Sequence, residues 1–216
     1  MPDKKAIITQ IESNVRVCKK CELCLGTRNA VPGEGNIDTK IAFVGEAPGE
    51  TEDLTGRPFV GRAGKLLEKG LEKIGYNRAD VWIGNIIKHR PPENRDPLPD
   101  EIAACEGYLA MQLEAIAPLL VVTLGRFSMN YFFVDGKISR DHGRFIKAGA
   151  GSKKFNIFPM YHPAAALRNP TVMDEFMKDF IQIPKILDQL KNATSGSVSA
   201  QTPIEPEDKN QLGLGL

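Results

Sequence analysis

Between Ala6 and Val15, Ile7, Ile8 and Ile11 fall on one side of a helix, so the chain begins with an amphipathic segment that leads into a cysteine cluster. Apolar runs and helical periods then alternate. Ile41-Ala-Phe-Val44 is stopped by Gly45-Glu-Ala-Pro-Gly49, which reads as a buried strand and then a loop. Leu66, Leu67, Leu71 and Ile74 recur at helix spacing over Lys65 to Ile74. Val81-Trp-Ile83 is a second strand, running on towards Asn85. A helix from about Pro99 to Ala117 carries Asp100 and Glu101 near its positive end. Leu119 to Leu124 is the densest strand and ends at Gly125, after which Arg126 to Phe133 resumes helix. Phe155 to Phe158 makes a fourth strand, and Asp174 to Leu190 a closing helix. Strands alternating with helices imply right-handed crossovers and a mostly parallel sheet covered on both faces. The pattern predicts one α/β domain over residues 1–192, a three-layer α/β/α arrangement around a central four-stranded sheet.

Length and charge narrow this only a little. A chain of 216 residues suits one sizeable core. Its net charge of +1 does not announce a nucleic-acid binder, although a local basic patch depends on arrangement rather than on the sum. No apolar run approaches the roughly 18 residues that span a bilayer. Met1-Pro-Asp-Lys-Lys5 lacks the apolar core of a signal peptide. The expectation is a cytoplasmic, monomeric protein without membrane contact, in which clustered cysteines bind metal rather than pair. Beyond Asn192 the composition turns to Ser, Thr, Gln, Pro and charge with no apolar period, so 193–216 reads as a disordered tail. Its end, Gln211-Leu-Gly-Leu-Gly-Leu216, looks like a sliding-clamp-binding peptide of the bacterial Gln-Leu-x-Leu type, without the usual final Phe. A plain apolar terminus is the alternative.

In open parallel sheets, ligands bind beyond the carboxyl ends of the strands. Here those places hold Gly45-Glu-Ala-Pro-Gly-Glu-Thr-Glu-Asp53, Asn85, Lys88-His-Arg-Pro-Pro-Glu-Asn-Arg95, Gly125-Arg126 and Tyr161-His-Pro-Ala164. The first loop lacks the Gly-Lys-Ser/Thr ending of a phosphate loop, and its acids would repel phosphate. Asn85 offers a donor and an acceptor suited to a base edge. Phe59 is either a stacking face or core. His162 can serve as a general acid or as a hydrogen-bond donor to a developing anion. Lys88, Arg90 and Arg95, set among prolines, form a stiff basic loop suited to phosphates.

Gly45-Glu-Ala-Pro-Gly-Glu-x-Glu-Asp53, Gly56-Arg-Pro-Phe-Val-Gly61, Asn85-Ile-Ile-Lys88, Arg90-Pro-Pro-x-Asn-Arg95 and His162-Pro-Ala164 together resemble the family 4 uracil-DNA glycosylases, the thermophile-type members that carry a 4Fe-4S cluster. The resemblance runs in one order from about Cys18 to Leu190 and includes Val31-Pro-Gly-Glu-Gly35. It implies base excision repair: hydrolysis of the N-glycosidic bond of deoxyuridine in single- and double-stranded DNA, with the base turned out of the stack. Asn85 would read the uracil edge, Phe59 would stack on the base, and Ala47 and Asp53 would complete the substrate contacts. His162 would donate to uracil O2. Glu46, or else Glu52 or Asp53, would position water or stabilise the cationic sugar. Lys88, Arg90 and Arg95 would hold DNA, with Leu167 filling the vacated stack and Arg168 on a phosphate, or both on a plain surface helix turn. A non-catalytic iron–sulfur DNA-binding module and a glycosylase for another deaminated base are the other readings.

Family members hold the cluster with four cysteines. Cys18, Cys21 and Cys105 match three of those positions and His89 stands at the remaining one. Either His89 completes a Cys3His set, or Cys24 supplies the last thiolate, since Cys18-x-x-Cys21-x-x-Cys24 is itself an iron–sulfur spacing. Zinc would also suit three cysteines and a histidine. A branch of the superfamily with Lys-His at this point cross-links to its abasic product, but it carries a basic insertion that is missing here, so the resemblance implies ordinary turnover.

Overall fold

The computed structural model describes residues 3–150 and 153–196. Six strands form one sheet: β1 (Glu34–Gly35), β2 (Ile41–Gly45), β3 (Trp82–Asn85), β4 (Leu120–Leu124), β5 (Ile146–Ala150) and β6 (Lys153–Met160). Their order across the sheet is β1-β3-β2-β4-β6-β5. β2, β3, β4 and β6 run parallel and are the four strands expected from the apolar runs. The two edges are additions to that count. β1 pairs antiparallel with β3, and β5 pairs antiparallel with β6.

Eight helices flank the sheet among the described residues: α1 (Lys4–Arg16), α2 (Glu50–Thr55), α3 (Arg62–Lys73), α4 (Pro99–Ile116), α5 (Arg126–Phe132), α6 (Ile138–Asp141), α7 (Pro163–Ala166) and α8 (Pro170–Gly196). The strand period of two sorts β2 between the two layers. Ile41 and Phe43 face a core shared with Leu67, Leu71, Phe176 and Phe180 of α3 and α8. Ala42 and Val44 face the opposite core, shared with Ile8, Ile11 and Val15 of α1 and Leu109 and Leu113 of α4. Both faces are covered, which gives the expected three layers.

α8 starts earlier than its apolar period suggests. Asn169 caps it, its Oδ1 accepting from the backbone N–H of Thr171 at 2.9 Å and of Val172 at 3.3 Å, with Pro170 at the first helical position. The helix continues to Gly196, past the expected domain end at 192. The proposed clamp-binding end, Gln211 to Leu216, lies outside the described residues. No described helix is long and apolar enough to cross a membrane.

Candidate active site

Sheet register assembles the site. Gly45 is opposite Asn85 across β2 and β3, and Leu124 is opposite Met160 across β4 and β6. The residues that follow, Glu46, Arg126, Tyr161 and His162, therefore leave the sheet at one edge. There they line a cavity of about 540 Å³ together with Ala47, Phe59, Arg95 and Arg168.

Asn85 forms the back of the cavity and is 1% exposed. No donor within the protein reaches its Oδ1, one of two such buried side-chain atoms among the described residues, the other being Thr123 Oγ1. A buried acceptor without a partner costs about 1–3 kcal/mol, and native chains rarely keep one. Gly45 makes room for it: a Cβ there would stand 2.5 Å from Asn85 Oδ1 and 2.4 Å from Phe59 Cζ. The amide and the ring thus meet over a bare backbone.

Phe59 is buried in the left-handed region, with φ +51°. Two contacts hold it there. Arg78 donates to its carbonyl at 2.9 Å and also to the carbonyl of Pro58. Arg78 is in turn held by Glu34 of β1 through a 2.7 Å bond from its Nε. Gly64 permits the close approach, since a Cβ at that position would lie 1.8 Å from the Phe59 oxygen. The Phe59 ring faces His162 with centroids 5.9 Å apart and a 36° tilt.

His162 precedes α7, and its Nδ1 accepts the backbone N–H of Ala164 at 3.1 Å. The ring proton is consequently on Nε2. Burial, with the nearby Arg168 cation adding to it, holds the imidazole down at about 4. It is neutral at physiological pH and presents an N–H donor. Glu46 behaves in the opposite sense. Burial and the Asp96 carboxylate push it up to about 7, against the opposing pull of Arg126.

Several expected site residues sit elsewhere or do other work. Glu52 lines the cavity, but its carboxylate is taken up by backbone. Oε1 accepts from Val60 and Gly61 N–H, each at 2.9 Å, and Oε2 from Gly49 N–H at 3.1 Å. It ties the loop after β2 to the start of α3. Asp53 does not line the cavity. Its Oδ1 accepts from Arg28 and Asn29 N–H at 2.9 and 3.2 Å, on the side where its charge acts on His89. Lys88 cannot reach DNA: it is fully buried, with Nζ bonded to the Asn85 carbonyl at 2.9 Å and to Gln112 Oε1 at 2.8 Å. Arg95 reaches the cavity but spends its guanidinium on a two-pronged bond to Glu101, at 2.6 and 2.9 Å. Arg90 is half-buried and bonds Asn94 Oδ1 at 2.9 Å. Leu167 and Arg168 are exposed, and Arg168 lines the cavity.

Arg126 and Tyr161 stand at the strand ends expected to hold ligand, but the family motifs give neither of them a role. Both line the cavity, and Tyr161 directly adjoins His162 of the last motif. Tyr161 packs on His142 with ring centroids 4.4 Å apart, and His142 in turn contacts buried Asp179 at 2.9 Å.

Of the metal candidates, Cys105 is buried, and the charges of Cys18 and Cys21 act on it. Lys88 N–H points to the Cys105 sulfur and Leu23 N–H to that of Cys21. Burial raises both thiols, Cys105 to about 11. His89 is 6% exposed and burial lowers it. Among the described residues, no three His, Cys, Asp or Glu side chains close tightly enough to grip a single metal ion.

The carboxyl edge of a three-layer α/β/α sheet thus gathers an amide, an aromatic face and a neutral imidazole around one cavity. The profile described as the Uracil DNA glycosylase superfamily matches residues 32–183. The type-4 uracil-DNA glycosylase of Saccharolobus solfataricus is 47% identical over 183 residues, 82% of this chain and 85% of that protein. That of Archaeoglobus fulgidus is 45% identical over 184 residues, covering 83% and 92%. That of Sulfurisphaera tokodaii is 46% identical over 185 residues, covering 83% and 84%. The chain belongs to the uracil-DNA glycosylase superfamily and, within it, to the type-4 group.

Proposed function

We propose that this protein excises uracil from DNA, breaking the bond between C1′ and N1 of deoxyuridine and leaving an abasic site. The observation that carries the reading is that no protein donor reaches the Oδ1 of Asn85 inside the cavity. Uracil N3–H supplies the missing donor, and the Asn85 amide N–H answers uracil O4. Cytosine offers an acceptor at N3 and a donor at its exocyclic nitrogen, so it meets acceptor with acceptor and donor with donor. Phe59 stacks on the turned-out base. As the bond breaks, the electron pair leaves with N1, and charge spreads to O2, where His162 Nε2–H donates. The ionised Glu46 takes a proton from the attacking water and faces the cationic sugar. Leu167 fills the vacated stack, and Arg168, which lines the cavity, holds a phosphate. The buried His89 does not line the cavity, which supports turnover without a lasting DNA adduct.

Incubating single- and double-stranded oligonucleotides with one uracil, then cleaving abasic sites with alkali, tests the proposal; two intact strands would overturn it. The pH profile tests Glu46. A carboxyl raised to about 7 is protonated below that value, so the rate should climb tenfold per pH unit up to about 7 and then level. Glu46→Gln should lose about 10²-fold at the plateau and flatten the climb. A profile unchanged in shape would remove Glu46 from the mechanism.

Cys18, Cys21 and Cys105 fit three thiolate positions of an iron–sulfur cluster, with backbone N–H groups already aimed at two of the sulfurs. The cluster would pin the N-terminal segment to α4. His89 directly follows Lys88, whose N–H meets Cys105, and the Asp53 carboxylate acts on its ring. Cys24 lies near Cys21, on which its charge acts, and is the alternative. We assign His89 as the fourth ligand on its place next to Lys88. His89→Ala should lose most bound iron and visible absorbance, whereas Cys24→Ser should keep both. The reverse result would transfer the assignment to Cys24.

A further inference from the structure

Two charged side chains at the cavity mouth take no part in reading the base. Arg126 opens α5 straight after β4 and lines the cavity, and its guanidinium is ion-paired with the Asp96 carboxylate, in the loop that follows β3. In the sheet β2 lies between β3 and β4, so the pair spans the loop that carries Glu46. Both partners are open to solvent, with side chains 59% and 62% exposed. Pairs as open as this contribute about 0–1 kcal/mol. Holding the fold therefore does not explain the pair, and exchanging one partner costs little.

The contrast with Arg95 is informative. That guanidinium is committed to Glu101, a carboxylate 5% exposed that also accepts Leu98 N–H, so no incoming anion can displace it cheaply. Arg126 instead rests on the Phe127 ring, 4.2 Å from its centroid, with an exposed carboxylate as its anion. A backbone phosphate presents two anionic oxygens that suit the same guanidinium fork.

We propose that Asp96 and Arg126 form an anion-exchange latch across the cavity mouth. In the free protein Asp96 holds Arg126, and a backbone phosphate of the entering strand takes its place on the guanidinium. The inference rests on the reading that DNA delivers its base to this cavity. It also bears on Glu46. Besides burial, the charges that act on Glu46 are those of Asp96, which raises it, and Arg126, which lowers it. Glu50, Glu52, Arg95, His162 and Arg168 line the same cavity.

The test measures binding of a uracil-free single-stranded oligonucleotide by fluorescence anisotropy over a salt series, using the full chain. Asp96→Asn should bind about 3-fold tighter at low salt, because the competing anion is gone. Arg126→Gln should bind about 10-fold weaker, with a log–log salt slope shallower by about 0.7, one single-strand phosphate contact. The gain from Asp96→Asn should vanish in the Arg126→Gln background, which is the signature of coupling. With uracil DNA, the acid limb of the rate should move down in Asp96→Asn and up in Arg126→Gln, opposite directions that a structural role for either residue would not produce. An equal gain from Asp96→Asn in both backgrounds, or an unchanged salt slope in Arg126→Gln, would overturn the latch. Binding to uracil-free DNA is independent of excision. A wild-type protein that releases no uracil but shows the coupling would refute the proposed function and leave the latch standing.

Discussion

Asn85→Ala is expected to lower kcat/KM on uracil DNA by about 10³-fold while leaving the melting temperature unchanged or higher. A site built to hydrogen-bond its substrate loses heavily when the pairing goes, because two bonds and the discrimination they carry disappear together. Each 1.36 kcal/mol of lost transition-state binding is a factor of about ten, so about 10³ corresponds to some 4 kcal/mol. Stability should move the other way. In the free protein no other protein group donates to the buried Oδ1, and removing such an acceptor relieves up to about 1–3 kcal/mol. For a domain of this size 1 kcal/mol is about 2–4 °C. Paired thermal melts and single-turnover rates decide the matter. A variant that melts much lower but still excises uracil would show that Asn85 is a packing residue.

His162→Ala is expected to lower kcat by about 10²- to 10³-fold, the usual loss when one donor to a developing anion is removed. Its donor is fixed in advance, since Ala164 N–H occupies Nδ1 and leaves the proton on Nε2. With the ring held at about 4, the protein has no imidazolium to offer at neutral pH, so stabilisation comes from a neutral N–H. Two consequences follow. The acid limb near 7 should survive in His162→Ala, because it belongs to Glu46. His162→Gln, which keeps a side-chain N–H, should recover about tenfold of the loss. Disappearance of the limb in His162→Ala, or no loss of rate, would reject the role.

The parallel strands and the major helices are legible in the chain because each carries its own apolar period. The edge strands are not. β1 is two residues long, and in β5 the run Ile146-Lys-Ala-Gly-Ala150 holds little that favours a strand over a loop. Asn85, Phe59 and His162 are legible because their neighbours spell out motifs. Lys88 misleads for a physical reason. Pairing continues beyond β3, Ile86 N–H donating to the Gly45 carbonyl at 3.0 Å and Ile87 N–H to that of Glu46 at 3.2 Å. That carries the next residues inward, so a side chain that reads as a loop cation ends at full burial. Glu52 and Asp53 illustrate the same limit. Adjacent acids after a glycine loop look interchangeable in sequence, yet one clamps the turn into α3 and the other turns towards His89. Arg126 and Tyr161 are legible as positions beyond strand ends but carry no motif role, and the register of β4 against β6 brings both to the cavity.

The anchoring of Phe59 reaches further than the loop it sits in. Its carbonyl is tethered through Arg78 to Glu34, on the strand at one extreme of the sheet, whereas His162 leaves β6 towards the other extreme. If the base stacks on the Phe59 ring and meets His162 at its edge, as proposed, it is gauged by jaws mounted on opposite flanks of a single sheet. The opening of that caliper follows the twist of the strands between them. Substitutions in the middle of β2 or β4, far from any base, should therefore retune which rings fit.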